Sequence, residues 1–357
     1  MTATAAPPFR TFVYKSVGGV DYKLDCYPPT REHLERSSYA RAPILLYAHG
    51  GALCAGTREW DGLVPDWLLR PALQAGFAVV SYDYTLLGPH SAHFIVEDIK
   101  DLYGFLRDRL NAVLPAHEIP VDPERMALCG SSAGGYVSFA AAALLPEALK
   151  AVISLYGAGG DLLTDWYLTE KKGPLLPDVP DVPILTDPAP FRAILDRPIE
   201  TTPPTVYFPT TDPLEPRNLL LLYLLQTGTL LDALSGQQGV SAALRLFPPE
   251  EREALVRQHS PSLAALLPQL WTTERFPPTM ILHGTADGIV KVHESRAMAR
   301  KLAAVGVDVT LQEIEGADHG FDAEGAWERQ PGGLDPELTR RKDAALASVL
   351  PWLLERI

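Results

Sequence analysis

Residues 125–143 read Arg125-Met126-Ala127-Leu128-Cys129-Gly130-Ser131-Ser132-Ala133-Gly134-Gly135-Tyr136-Val137-Ser138-Phe139-Ala140-Ala141-Ala142-Ala143. An apolar run, a G-x-S-x-G turn and a helix-forming run follow one another, which is the strand-turn-helix setting in which that pentapeptide presents a serine nucleophile. A serine hydroxyl is a weak nucleophile at neutral pH and needs both exposure and a neighbouring base. Gly130 and Gly134, lacking a Cβ, let the chain fold back sharply at Ser132. The same turn leaves the amide of Ala133 at a helix N-terminus, free to donate to an oxyanion.

Outward from this turn, strand-like runs rich in β-branched and aromatic residues occur at Thr11–Ser16, Val20–Tyr27, Ile44–Ala48, Ala78–Tyr82, Met126–Cys129, Ala151–Tyr156, Thr279–Leu282 and Val307–Ile314, eight in all. Gly18-Gly19 between the first two predicts an N-terminal hairpin. Apolar residues at helical spacing, Ile95, Ile99, Leu102, Leu106 and Leu110, predict a helix over 92–111, with others over 293–305 and 336–357. Strands alternating with helices imply a mostly parallel sheet covered on both faces, with ligands bound outside the carboxyl ends of its strands.

The alternation stops over 158–277. Twelve of the 33 prolines lie between Gly173 and Pro216, a density that forbids regular ladders and most helix interiors. A leucine-rich helix is expected around Leu219–Leu234, followed by the break Ser235-Gly236-Gln237-Gln238-Gly239. Trp166, Tyr167, Phe191, Tyr207, Phe208, Tyr223 and Phe247 are apolar bulk that a solvated linker would not need. The expected organisation is therefore a catalytic core of residues 1–157 and 278–357 with an ordered cap, 158–277, inserted between strands six and seven.

The chain of 357 residues is 46% apolar and 21% charged, enough to bury a large core. Its net charge of -13 argues against nucleic acid and anionic membrane surfaces as partners, which attract basic patches. Cys26, Cys54 and Cys129 are too few and too scattered for a disulfide framework or a metal site. Met1–Arg10 lacks the pattern of a signal peptide, and no run approaches the roughly 20 apolar residues of a membrane span. A soluble, cytoplasmic protein acting on a small molecule is expected; a homodimer is left open.

A serine nucleophile requires a base, and the base an orienting carboxylate. Of nine histidines, His319 in Glu315-Gly316-Ala317-Asp318-His319-Gly320-Phe321 follows the last strand, with glycines on both sides that let a loop return the imidazole to Ser132. His283 lies at a strand end and is expected to pack there. The carboxylate is Asp287, where Thr279-Met280-Ile281-Leu282-His283 runs into the turn Gly284-Thr285-Ala286; Asp318 is the rival, but sequential neighbours rarely present side chains to each other. Aspartate is also common in Asx-turns, the alternative role for Asp287. After the strand Ile44–Ala48 comes His49-Gly50-Gly51-Ala52, whose glycines let amides approach a ligand closely, so Gly50 and Gly51, with Ala52 as a further option, join Ala133 as candidate oxyanion donors. Ala52, Ser131, Trp166 and Tyr167 are the candidate substrate-binding residues.

His49-Gly50-Gly51-Ala52, Gly130-Ser131-Ser132-Ala133-Gly134-Gly135, His283-Gly284-Thr285-Ala286-Asp287 and Asp318-His319-Gly320-Phe321 together resemble the α/β-hydrolase fold, and within it the hormone-sensitive-lipase-like carboxylesterases. The resemblance covers about residues 40–157 and 278–357. It implies a central sheet of eight strands, all parallel except the second, with Ser132 as nucleophile, Asp287 as acid, His319 as base, and Gly50, Gly51 and Ala133 around the oxyanion. Three departures stand out: Ala52 replaces the third glycine of that family's loop, Ser131 stands where aspartate or threonine is usual, and Asp83-Tyr84-Thr85-Leu86-Leu87-Gly88-Pro89 lacks the arginine and the Ala-Pro-Glu that usually follow Asp-Tyr. That family's cap is built mostly from N-terminal helices, whereas here the inserted segment lies between the sixth and seventh strands.

The expected chemistry is hydrolysis of a carboxylic ester of a small or medium apolar or aromatic substrate through an acyl-enzyme, with no metal or organic cofactor. An amidase or formamidase, or an acyltransferase or cyclase of a specialised metabolite, would use the same three residues. A peptidase resembling the prolyl oligopeptidases would need room for a propeller domain, and a non-catalytic binding protein would usually have lost one of the three.

Overall fold

The computed structural model describes residues 7–59, 64–173, 175, 187–208, 212, 214–322 and 335–357. Residues 1–6, in the stretch expected to carry no signal peptide, and residues 174, 176–186, 209–211 and 213 of the proline-rich stretch lie outside them.

Among the described residues one sheet contains β1 (Arg10–Val17), β2 (Val20–Tyr27), β3 (Ala42–Ala48), β4 (Ala78–Tyr82), β5 (Val121–Ser131), β6 (Leu149–Leu155), β7 (Thr279–Gly284) and β8 (Val309–Ile314). Their spatial order is β1-β2-β4-β3-β5-β6-β7-β8. β2 runs antiparallel to β1 and β4, and the remaining pairs are parallel, so all strands but the second share one direction. β3, β4 and β7 are buried at every position, as parallel strands covered on both faces must be. The β1–β2 hairpin turns through Gly18 and Gly19, both at positive φ.

The helices are α1 (Arg31–Arg36), α2 (Asp66–Gln74), α3 (Ala92–Asp108), α4 (Leu110–Val113), α5 (Ala133–Leu144), α6 (Asp165–Leu168), α7 (Ala189–Leu195), α8 (Pro216–Thr227), α9 (Leu230–Ser235), α10 (Val240–Leu244), α11 (Pro249–His259), α12 (Pro261–Ala264), α13 (His293–Ala304), α14 (Pro336–Ala347) and α15 (Val349–Leu354). Ile95, Ile99, Leu102 and Leu106 of α3, Val137 and Phe139 of α5, and Met298 and Leu302 of α13 fill one side of the sheet. Leu68, Leu69 and Leu73 of α2, Leu338 of α14, and Val349, Trp352 and Leu353 of α15 fill the other. The leucines of α8 and α9 continue the first of these cores, so the helices between β6 and β7 share apolar packing with the sheet.

Several boundaries differ from expectation for local reasons. β5 begins at Val121 rather than Met126, because Val121 and Asp122 pair with β3 before the register slips and Ile44 takes Met126. β8 begins at Val309 rather than Val307, after Gly306 at φ +82 closes α13. The helix expected over Leu219–Leu234 is two, α8 and α9, because Gly228 adopts the left-handed conformation that ends a helix. The C-terminal helix also divides: Pro351 has no N–H to bond the preceding turn, and the chain restarts as α15.

Candidate active site

Ser132 sits between β5 and α5 at φ +54 and ψ −117, a strained conformation held by steric necessity on both sides. A Cβ added to Gly130 would stand 2.1 Å from Gly134 O, and one added to Gly134 2.0 Å from Ala48 O. Only glycine therefore permits the turn to close against β3.

Asp287 is buried in the turn after β7. Its Oδ1 accepts from the amides of Ile289 and Val290, both at 2.9 Å, while Oδ2 accepts from His319 Nδ1 at 2.8 Å. The Asx-turn role and the histidine-facing role thus belong to the two oxygens of one carboxylate. His319, in the loop after β8, accepts at Nε2 from Ser132 Oγ at 2.9 Å. Its two partners fix the tautomer, with the proton on Nδ1. Burial alone would raise the Asp287 carboxyl, but hydrogen bonds from His283 and His319 outweigh it and hold the group well below the usual carboxylate range. Asp318 faces elsewhere: its Oδ1 accepts from the amides of Gly288 at 3.1 Å and His319 at 2.7 Å, fastening the two loops together.

His283 packs at its strand end and also reaches the site. Its Nε2 lies 2.8 Å from Val290 O and 3.2 Å from Asp287 Oδ2, and Nδ1 lies 2.6 Å from Ser295 Oγ. Two oxygens facing Nε2 put the proton there, leaving Nδ1 to accept from the serine hydroxyl. The i, i+4 spacing of His283 and Asp287 was the signal available in the sequence.

The loop after β3 lies against the serine: a Cβ on Gly50 would stand 3.5 Å from Ser132 Cβ. Gly51, Ala52 and Leu53 run consecutively at φ +97, +63 and +61, and Gly51 O accepts from the amides of Cys54 and Ala55. For Ala52 and Leu53 the left-handed conformation costs roughly 1–2 kcal/mol each. The amides of Gly50 and Gly51 donate to no oxygen among the described residues. His49 underpins the loop, with Nδ1 2.7 Å from Gly50 O and its ring stacked on Tyr84 at 4.2 Å; burial pulls its pKa down to about 4, so it is neutral at neutral pH.

The remaining sequence candidates separate. Ala52, Ala133 and Tyr167 line a cavity over Ser132, which Leu225, Leu230 and Leu234 of α8 and α9 close from the far side. Ser131 lies below, accepting from Tyr47 Oη at 3.0 Å. Trp166 donates to Ile289 O at 3.1 Å and carries Lys291 over its ring at 4.4 Å, outside the cavity lining.

Two arrangements escaped the sequence reading. Tyr156, at φ +39, sets its ring edge against His319 at 4.9 Å and donates its hydroxyl to Asp322, which also accepts from Trp67 Nε1 at 3.1 Å. Asp322 thereby ties down the loop that carries His319. Second, buried Arg58 pairs with Asp83 at 2.6 Å and with Asp25 at 3.1 Å.

A family model described as alpha/beta hydrolase fold matches residues 45–188. The chain is 25% identical over 304 residues to a probable carboxylesterase, M8, of a Phoma species, covering 81% of this chain and 82% of that protein. It is 28% identical over 336 residues to the non-reducing polyketide synthase Preu6 of Preussia isomera, covering 88% of this chain but 14% of the synthase. Among solved structures, esterase 2 of Thermogutta terrifontis superposes with a TM-score of 0.54 at 18% identity, over 99% of this chain and 97% of that one. An alpha/beta hydrolase superfamily protein of Enterococcus faecalis gives 0.57 at 17%, over 98% and 100%. Fold and comparisons agree: the chain has the α/β-hydrolase fold. Along most of its length it is similar to a probable carboxylesterase.

Proposed function

We propose that the chain is a serine hydrolase that cleaves a carboxylic ester of an apolar or aromatic substrate through an acyl-enzyme. The observation that carries this reading is the unbroken chain Ser132–His319–Asp287, at 2.9 and 2.8 Å, opening on an apolar cavity. In this mechanism His319 Nε2 takes the proton of Ser132 Oγ as the serine attacks the ester carbonyl. The tetrahedral oxyanion is held by the amides of Gly50, Gly51 and Ala133, each worth roughly 2.7–4 kcal/mol in comparable sites. His319, now protonated and paired with Asp287, returns the proton to the leaving alkoxide. A water then attacks the acyl-enzyme with His319 as base and releases the acid and free Ser132. Residues 158–277 act as the cap that selects the substrate, with Ala52 and Tyr167 at its contact with the core. The acidic net charge and an acyl-enzyme route that needs no cofactor fit a cytoplasmic enzyme of small molecules, with no nucleic acid or membrane partner; no described helix is long and apolar enough to cross a membrane.

A second reading is favoured by the similarity to a short segment of polyketide synthases, over 88% of this chain. The same acyl-serine would then pass a polyketide-type acyl group to an alcohol or an internal nucleophile instead of water. Fluorophosphonate labelling of the native chain and of Ser132→Ala, combined with hydrolysis of p-nitrophenyl esters of increasing acyl length, tests the first reading. Equal turnover by native and variant would overturn it. Product ratios with and without an added alcohol separate hydrolysis from transfer.

A further inference from the structure

The cavity over Ser132 is lined by side chains that are almost all aliphatic, and its hydroxyls are therefore conspicuous. Ser132 is engaged by His319. Tyr136 Oη donates to Leu266 O at 2.8 Å. Tyr167 is only 3% exposed, lines the same cavity, and its hydroxyl has no hydrogen-bond partner among the described residues.

A buried hydroxyl without a partner is a standing cost, and one that lines a cavity can be completed by a group that enters it. Its setting is rigid. On one side Asp165 is held by Arg252 Nη2 at 2.7 Å; on the other, Trp166 is held to Ile289 O, so the short helix α6 cannot easily turn the ring away. The group that enters this cavity meets aliphatic walls and, at Tyr167, one phenol hydroxyl without a protein partner among the described residues.

We propose that Tyr167 is a specificity-determining residue whose hydroxyl hydrogen-bonds a single oxygen function carried by the apolar part of the substrate, remote from the scissile carbonyl. The inference rests on the ester-hydrolysis reading of the same site. The substrate class is an ester whose aromatic or alicyclic portion bears one hydroxyl, ether or ketone oxygen. An unsubstituted hydrocarbon of the same shape strands the phenol; an oxygen at the right position pairs it. The preference expected from one such buried hydrogen bond is about 10- to 100-fold in kcat/KM.

The test uses p-nitrophenyl 3-phenylpropanoate and its ring-substituted 3-hydroxy, 4-hydroxy, 4-methoxy and 4-acetyl derivatives, on the native chain, Tyr167→Phe and Ser132→Ala. The native chain should favour at least one oxygenated ester by about tenfold or more, and Tyr167→Phe should reduce that ratio to about twofold or less. The hydroxy, methoxy and acetyl arms show which oxygen is recognised. A flat native series, or a preference that survives in Tyr167→Phe, overturns the inference while leaving ester hydrolysis standing. Turnover of every ester that is unaffected by Ser132→Ala removes both. Should Tyr167→Phe fail to fold by thermal unfolding, Tyr167→Met is measured on the same ratio.

Discussion

The carboxyl edge of the sheet and the helices between β6 and β7 are held in place by different forces. At the sheet edge, Ser132, Asp287 and His319 follow β5, β7 and β8 directly, so a continuous ladder of backbone bonds sets their spacing. The inserted helices are apolar over the cavity and are fastened by buried guanidiniums. Arg217 donates to the carbonyls of Cys54, Leu87 and Gly88 at 2.7–3.0 Å, and Arg252 to those of Leu163, Leu244 and Phe247. Ser132, Asp287 and His319 are thus carried by the sheet itself, whereas the aliphatic wall over the cavity is carried by helices that pack on the sheet and are tied down by these side chains.

Breaking the sheet edge should abolish chemistry and spare binding. Ser132→Ala removes the nucleophile and is expected to lower kcat by at least about 10⁴-fold, with little change in the affinity for a product acid or in thermal unfolding. Comparable burst kinetics in variant and native protein would contradict it. Asp287→Asn leaves an oxygen for the turn amides of Ile289 and Val290, but its NH₂ confronts the Nδ1 proton of His319 and the Nε2 proton of His283. The imidazole is then driven to the wrong tautomer, and a loss of up to about 10⁴-fold in kcat is expected with KM nearly unchanged. A loss confined to KM would show that Asp287 serves the turn alone.

What the sequence revealed follows the same division. β3 and β4 were legible because strands buried on both faces read as unbroken apolar runs. Ser132, Asp287 and His319 were legible because each lies in a glycine-flanked turn at a strand end. His283 was not, since a histidine at the end of an apolar strand looks like core until Asp287 is seen four residues on. The Tyr156–Asp322–Trp67 linkage joins positions 166 and 255 residues apart and has no local signature. Nor did the sequence indicate that Arg58 pairs with both Asp25 and Asp83. In the inserted segment the leucines were visible but the break at Gly228 was not, because a single glycine inside an apolar pattern is compatible with either outcome.

Loosening the inserted helices should have the opposite effect to breaking the sheet edge. Arg217→Met keeps much of the buried volume but strands three carbonyls, those of Cys54, Leu87 and Gly88, in the interior. A destabilisation of roughly 2–4 kcal/mol in denaturant unfolding is expected. KM for long-acyl esters should rise several-fold more than kcat falls, since the wall formed by Leu225, Leu230 and Leu234 shifts while Ser132, His319 and Asp287 stay. Equal losses in both parameters would mean that the helices also position the reacting groups.

The smallest change in turnover is expected at the joint between the two regions. Glu294 of α13 is fully buried, and its Oε2 accepts from the amides of Gly159 at 2.8 Å and Gly160 at 3.1 Å, where the chain leaves β6 for the inserted helices. Burial, opposed by those amides and reinforced by nearby Asp161, pushes its carboxyl up to about 8. An unfolded glutamate titrates near 4.3, so the folded state binds the proton more tightly. By linkage, the stability this supplies is complete below about pH 4.3 and is lost as pH rises through about 8. Glu294→Gln is neutral at every pH and retains an oxygen for the two amides. Native unfolding free energy should therefore fall relative to that of the variant between pH 5 and pH 9, with turnover at neutral pH close to native in both. Parallel stability curves across that range would mean that Glu294 is already ionised in the folded protein, with its carboxylate held by the Gly159–Asp161 amides alone.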